Sequence, residues 1–488
     1  MKKLLSLIAI MIMVALSISS MVFSVSAEGA WDGITAATGF ASGTGTAEDP
    51  YIIANGEQLK YFADLINTKE THETYTYLNY KVGADIDLGG NMWYRIADTA
   101  SPFRGVFDGD GHTISNFLIF EHPAALFGAV ADGTIKNLKI DYADIFATGS
   151  VASAFVGNVK NGFSLTIDNC EVGARVRITG ACGDGCTRIG GIWGGMDSNS
   201  IVYASNCINR ARIILDNTSK ADSGAGGIGG VFRSGSIKNC VNLGSVVVNY
   251  VGAKTSHAGG VVGLIVCPGD SVIENVINCA NVSGYTNAGG VIGYLHTSDA
   301  TLEIKNAFSI TNNITAYEAY GTAIGAAKDG QTATLANIVT IAIEGLDAVG
   351  GFVPITGEGV LSVGSVDEIA FNVDYSAILT SLGLGALTMP VPPGEETDPD
   401  VPVAKPAGPE DTEPEETKPE ETKPEETKPE ETKPEDTKPE GTEPTQTPST
   451  DAPGTEKPAE GGCGSVVAGG LAILAVVALA GVALKKRD

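Results

Sequence analysis

The chain has 488 residues, enough for two or three ordinary domains, but 62 glycines, 7% aromatics and 18% charged residues point instead to one elongated domain with accessory segments. The net charge of −27, from 58 acidic and 31 basic side chains, excludes nucleic acid as a natural partner.

Met1, Lys2 and Lys3 open the chain, followed by an apolar run to about Phe23 and then Val25-Ser26-Ala27. This is the three-part layout of a secretory signal, with cleavage expected after Ala27; an uncleaved anchor is the alternative. Next comes a leader. Asp49-Pro50-Tyr51-Ile52-Ile53 reads as turn then strand, and Asn55 with Gln58 has the form of a capping box. Leu59, Phe62, Ala63 and Ile66 share one helical face, so a single helix is predicted from about Gly56 to Asn67, covering the open end of whatever follows. An uncovered terminal strand would otherwise invite edge-to-edge pairing.

Two units then recur in step. The first is two small residues, two mostly apolar residues and a glycine: Ala124 to Gly128, Ser153 to Gly157, Gly190 to Gly194, Gly226 to Gly230, Gly259 to Gly263 and Gly289 to Gly293, with a weaker copy at Thr322 to Gly325. The closing glycines lie 29 to 37 residues apart. The second unit is Asn169-Cys170, Asn206-Cys207, Asn239-Cys240 and Asn278-Cys279, with second asparagines at 209, 242 and 281 and a degenerate copy at Asn306-Ala307. Short alternating segments such as Ala174 to Ile178 and Ser245 to Asn249 fall between them. Short strands at this period predict one coil of a β-solenoid per repeat, each needing its neighbours to complete a core. Equivalent residues would then stack about 4.8 Å apart, asparagines at corners bonding along the stack and glycines allowing the left-handed corners of a tight coil.

The Gly-Gly-apolar-apolar-Gly copies resemble the GLUG motif of bacterial surface proteins. The leader is similar to the same group in Gly45 to Tyr51, the Leu59 helix, Asp85-Ile86-Asp87-Leu88, Phe103 to Gly109 and Asp110 to Ile114. The resemblance covers about residues 30 to 350. It implies an all-β, right-handed parallel β-helix of the pectin-lyase-like type, in a group that includes adhesins and flanking parts of surface proteases.

From about Pro390 to Glu460 the sequence is Pro, Glu, Thr and Lys, with Lys418-Pro419-Glu420-Glu421-Thr422 repeated from Lys423, Lys428 and Lys433. Such a segment cannot bury enough apolar surface to fold, and roughly half of the net negative charge resides there. Extended at ~3.1 Å per residue, it would reach roughly 200 Å as a disordered stalk. Ser465 to Leu484 is apolar and uncharged over 20 residues, enough to span a membrane, and Lys485-Lys486-Arg487 would hold the following end in the cytoplasm. Gly461-Gly462-Cys463-Gly464 precedes it, in a layout that resembles C-terminal sorting signals. The Leu-Pro-x-Thr-Gly sortase motif is absent. Cys463 is either a processing or lipidation site or a plain juxtamembrane cysteine. The expected order is therefore a signal at 1–27, a cap and first coils at 28–120, repeats and a C-terminal cap at 121–390, a stalk at 391–464, a membrane helix at 465–484 and a basic tail at 485–488.

Chemistry is sparse. His72-Glu73 opens like a zinc-protease helix, but position 76 is threonine where the second histidine belongs. Asp108, Asp110 and His112 are the best polar cluster: turn chemistry is the simplest reading, with a calcium site or an acid–base carboxylate pair as alternatives. Cys182 and Cys186 suit a loop disulfide, whereas the Asn-Cys thiols suit free, buried positions. Arg210 and Arg212 flank Ala211 and would share a strand face. No cofactor is called for beyond that calcium reading. These features predict a non-enzymatic, adhesin-like surface protein contacting glycans or neighbouring surfaces and held to the cell envelope membrane by its C-terminal helix. The alternatives are a polysaccharide lyase or glycoside hydrolase, and a passive envelope spacer.

Overall fold

The repeats build a parallel β-solenoid. The computed structural model describes residues 29–182, 187–217, 222–250, 255–267, 269–297, 301–311, 313–328, 333–350 and 360–363, with short stretches between 379 and 402. The signal segment with Ala27, Cys186, most of the acidic segment, Cys463 and the apolar run 465–484 lie outside the described residues. Contacts divide the chain into Met1–Pro406 and Ala407–Asp488, and everything described belongs to the first unit.

Each coil of the repeat region contributes to four walls. The first wall stacks Gly133–Lys136, Ser164–Asp168, Ile201–Ser205, Gly235–Asn242, Ser271–Asn278, Leu302–Ser309 and Thr334–Ile341, all parallel. The second stacks Thr113–Glu121, Lys139–Ala147, Val176–Cys182, Arg212–Asn217 and Val246–Tyr250. Both belong to one 21-stranded sheet; a six-stranded and a seven-stranded sheet form the third and fourth walls. Alternate residues such as Ile135, Ile167, Ala204, Ile237, Ile273 and Ile304 turn inward and are buried.

The helix Gly56–Asn67 (α1) forms where the capping box places it. The Asn55 side chain accepts the Gln58 N–H at 2.9 Å, and Gln58 Oε1 accepts the Ala54 N–H at 2.8 Å. Its buried face meets the first coils, with the Phe62 ring 4.3 Å from Tyr80 and 5.6 Å from Phe107. The cap is not one helix but two: Lys69–Tyr75 (α2) follows, pinned by His72 Nδ1 2.8 Å from the Ile66 carbonyl oxygen.

The asparagine ladder forms, in a different register from the one read in the sequence. Asn137, Asn169, Asn206, Asn239, Asn275, Asn306 and Asn337 all adopt left-handed φ between 50° and 58°. Their side chains bond along the stack, for example Asn239 Nδ2 to Asn206 Oδ1 at 3.1 Å and Asn275 Nδ2 to Asn239 Oδ1 at 3.0 Å. Asparagine is the commonest non-glycine residue to tolerate this conformation, because its side chain bonds locally. Asn278 does not belong here. Cys240 pairs with Val276 and Asn242 with Asn278, so the true fourth copy is Asn275-Val276-Ile277-Asn278 and Cys279 lies outside the cysteine column.

The glycines of the first unit have another purpose than the corners expected of them. None of those from Gly190 to Gly325 takes a positive φ. They are small because backbone approaches them. A Cβ on Gly226 would stand 2.2 Å from the Gly229 carbonyl oxygen, and one on Gly263 would stand 2.5 Å from Ala225 N. The middle glycines press on the next coil and on a buried polar column: a Cβ on Gly260 would lie 2.1 Å from the Gly290 carbonyl oxygen and 2.3 Å from Asn278 Cγ. The equivalent residues Ala125 and Ala154 occur in coils that carry Ile140 and Val172 where later coils carry the asparagine. Gly260→Ala is therefore expected to cost about 3 kcal/mol, as overpacking against backbone that cannot yield. Urea unfolding of the full chain checks this, and a midpoint unchanged from wild type would remove the close-packing explanation.

Candidate functional site

Outward positions of the first wall form a ladder of mixed charge: Asp108, Lys136, Asp168, Ser205, Lys238, Glu274 and Lys305 stand in successive coils. Lys136 Nζ lies 3.1 Å from Asp108 Oδ2, and Lys238 Nζ lies 3.5 Å from Glu274 Oε2. Asp108 Oδ1 also accepts from Asn137 Nδ2 and from the Asp110 N–H, each at 2.9 Å. Burial pushes the Asp108 carboxyl up, but those donors and the Lys136 ammonium outweigh it and hold the group below the usual carboxylate range.

Asp110, at φ 51°, pairs instead with Lys81 at 2.8 Å, and His112 Nδ1 stands 3.4 Å from Asp85 Oδ1. The three residues are thus neighbours in one turn, joined by the Asp110 N–H to Asp108, whose side chains pair with different residues. Among the described residues no group of three or more His, Cys, Asp or Glu side chains is arranged to hold a metal. Cys182 closes the strand Val176–Cys182, and its proposed partner Cys186 is outside the described residues.

Cys170, Cys207 and Cys240 are free and buried, in a column that continues through Val276, Ala307 and Ile338. Burial pushes the Cys170 and Cys240 thiols up, which keeps them protonated and unreactive. They serve the core as valine and alanine do one coil later.

The second wall carries the more exposed chemistry. Its outward column runs Phe120, Phe146, Thr179, Ile214, Val247, Ser283 and Thr315. Phe120 and Phe146 stack with centroids 5.0 Å apart, and Phe120 is 58% exposed. At the far end Tyr285 and Tyr317 stack at 5.5 Å with rings 2° from parallel, and Tyr317 is 77% exposed. Coil stacking produces such flat pairs without further help, because it repeats a side chain at strand spacing.

Two concavities went unforeseen. A small one of about 270 Å³ is lined by Asn67, Tyr94, Arg95, Asp98 and Glu121, with Arg95 and Glu121 ion-paired at its edge. Burial raises the Glu121 carboxyl against the opposing pull of Arg95. A larger groove of about 730 Å³ lies between Arg210, Arg212, Ser245 and Asn281 on the solenoid and Gly383, Leu384, Pro390, Glu396, Thr397 and Pro399 of the returning chain. The pairing of Arg210 and Arg212 was visible in the sequence; the chain that lies across them had no local signal.

Glu396 and Asp398, in the segment expected to be stalk, are therefore held against the solenoid. Leu379, Leu382 and Leu384 cover an outward apolar column of Val241, Ile277, Phe308 and Val339. Glu396 then accepts from Asn281 Nδ2, and Asp398 pairs with Arg212. Among the described residues no helix is long and apolar enough to cross a membrane.

No protein-family model matches the chain. It is 31% identical over 182 residues, 34% of its length, to halomucin from Haloquadratum walsbyi. It is 30% identical over 139 residues, 27% of its length, to a protein from Evansella cellulosilytica named as a Gly-rich membrane protein. The matches span 2% and 15% of those two relatives. Among solved structures, a Bacteroides ovatus chain described as an immunoglobulin A1 protease aligns over 70% of this chain and 90% of its own, at 20% identity and a TM-score of 0.43. The chain is a β-solenoid protein with distant similarity to halomucin and to the Gly-rich membrane protein.

Proposed function

We propose that this is a non-enzymatic surface-display protein whose solenoid flank binds extended glycans or neighbouring surfaces. The observation that carries the reading is the stacked pair Tyr285 and Tyr317, in which the half-buried Tyr285 backs the solvent-facing Tyr317. Flat exposed aromatic faces suit the apolar faces of sugar rings, and the rungs of the second wall repeat every coil, as the units of a polymer do. The relative named as a membrane protein supports display at a membrane. On this reading the chain is exported by its first 27 residues and carried on the acidic segment 391–464. Residues 465–484 anchor it in the cell envelope membrane, with Cys463 as the processing or lipidation site. The solenoid is the right-handed form that parallel crossovers strongly prefer, of the GLUG and pectin-lyase-like type. Cys182 and Cys186 close a loop, and Asp108, Asp110 and His112 shape a turn.

A glycan array probed with the full chain, run beside a depolymerisation assay on each polymer bound, tests this. Binding without release of oligosaccharides is expected, with Tyr317→Ala weakening it about ten-fold, the scale of one aromatic contact. Oligosaccharide release would replace the reading with a lyase or hydrolase, and no binding to any glycan or cell surface would leave a spacer.

A further inference from the structure

We infer that the arginine groove on the solenoid flank is a recognition site for an extended acidic peptide, and that Glu396–Asp400 is its occupant in cis. The solenoid side of the groove runs over four successive coils, through Ala174, Arg210 and Arg212, Ser245 and Asn281, and the arginines beside it come from the first two of these coils. Arg175 and Arg177 come from one, Arg210 and Arg212 from the next. Three of the four already have a solenoid carboxylate: Arg175 with Asp141 at 2.8 Å, Arg177 with Asp144 at 2.6 Å and Arg210 with Glu171 at 3.0 Å. Glu171 is shared with Lys139, so five cations meet three solenoid carboxylates and the flank retains positive charge.

Arg212 is the exception. Its carboxylate partner is Asp398 of the returning chain, and its Nε is buried with no acceptor among the described residues. That donor is what a further ligand oxygen in the groove would satisfy.

The returning chain has the matching pattern. Glu396, Asp398 and Asp400 alternate, so in an extended chain they share one face at roughly 7 Å spacing. They descend the flank toward the earlier coils: Glu396 at Asn281, Asp398 two coils back at Arg212 and within electrostatic reach of Arg177, and Asp400 within reach of Arg175. The segment thus runs back toward the earlier coils, passing over the Ser245 coil between its first two contacts. A peptide with carboxylates at alternate positions presents the same groups. This inference does not depend on the glycan reading, which concerns the aromatic rungs.

The experiment uses the full chain and a fluorescent peptide of residues 394–402. Wild type is expected to bind it weakly, because the groove is filled. The variant Glu396→Gln, Asp398→Asn, Asp400→Asn should bind it about ten-fold or more tightly, with affinity falling as salt rises. Adding Arg175→Ala and Arg212→Ala to that variant should abolish the gain. An emptied groove that binds no better than wild type would overturn the inference, as would binding that ignores the two arginines. Tighter binding of an acidic oligosaccharide than of the peptide would also overturn it, by assigning the groove to glycans. Tyr317→Ala, away from the groove, should leave peptide binding unchanged.

Discussion

Asn242→Leu is expected to destabilise the solenoid by about 5 kcal/mol, from the loss of four hydrogen bonds in a dry column. Asn242 is fully buried, and every polar atom of its side chain is used. Its Nδ2 donates to Asn278 Oδ1 at 2.8 Å and to the Gly244 carbonyl at 3.0 Å. Its Oδ1 accepts from Asn209 Nδ2 at 2.8 Å and from the Gly244 N–H at 3.3 Å. Leucine matches the volume but strands both polar groups of the Gly244 backbone, and leaves Asn209 Nδ2 only its bond to the Ala211 carbonyl and Asn278 Oδ1 only the one from the Ala280 N–H. Each orphaned group carries a penalty of about 1–3 kcal/mol, partly relieved by shifts. Gly227 compounds the effect, since an added Cβ there would already lie 2.2 Å from Asn242 Cγ. Replacing the whole column is a different matter: Ile140 and Val172 continue it in earlier coils without any polar group. Hence Asn209→Val, Asn242→Val and Asn278→Val together should cost less than three independent losses. Denaturant unfolding of the single and triple variants checks both statements. Additive losses would mean the column does not act as a unit.

Those two motifs, two glycines and a paired asparagine, were visible in the sequence because they repeat in step; what they do was not. Asparagine and glycine are both expected at corners; asparagine takes them, whereas the glycines of the repeated pair serve close backbone approach instead. The slip at Asn278-Cys279 has an equally physical origin. Cys240 and Val276 are interchangeable small hydrophobes in one column, so matching on cysteine followed the residue rather than its environment. The boundaries of α1 were legible because cap, face and length agree. Lys69–Tyr75 was not, since six of its seven residues are polar or charged and it is held by contacts to α1 and to the Thr68 carbonyl. The groove had only half a signal. Arg210 and Arg212 are local in sequence, but Asp398 lies 186 positions from Arg212, and no periodicity connects them.

Acidification should weaken the fold chiefly through the buried imidazole of His257, with His122, also lowered by burial, adding in the same direction. His257 is 1% exposed on the strand Ser256–Gly259, its ring stacked 4.4 Å from Tyr294. Burial pushes it down to about 3, with Asp222 pulling up and Arg188 pushing further down. The contacts favour the neutral ring: Asn287 Nδ2 lies 2.8 Å from Nδ1, a donor that needs an unprotonated nitrogen. The unfolded chain takes up a proton near pH 6.5 while the folded chain resists until about pH 3. Between those limits the unfolded state binds more protons, so the stability held above pH 6.5 is lost progressively as pH falls toward 3. The total is about 5 kcal/mol, with roughly half gone near pH 4.5. His257→Gln removes the titration and keeps an amide able to meet Asn287. Its stability relative to wild type should therefore improve steadily from pH 6.5 to 3, whatever its starting offset at neutral pH. Denaturant melts of both proteins across that range measure the difference directly, cancelling the carboxylates they share. A constant difference between them would show that His257 is protonated in the folded state at little cost, and that acid acts elsewhere.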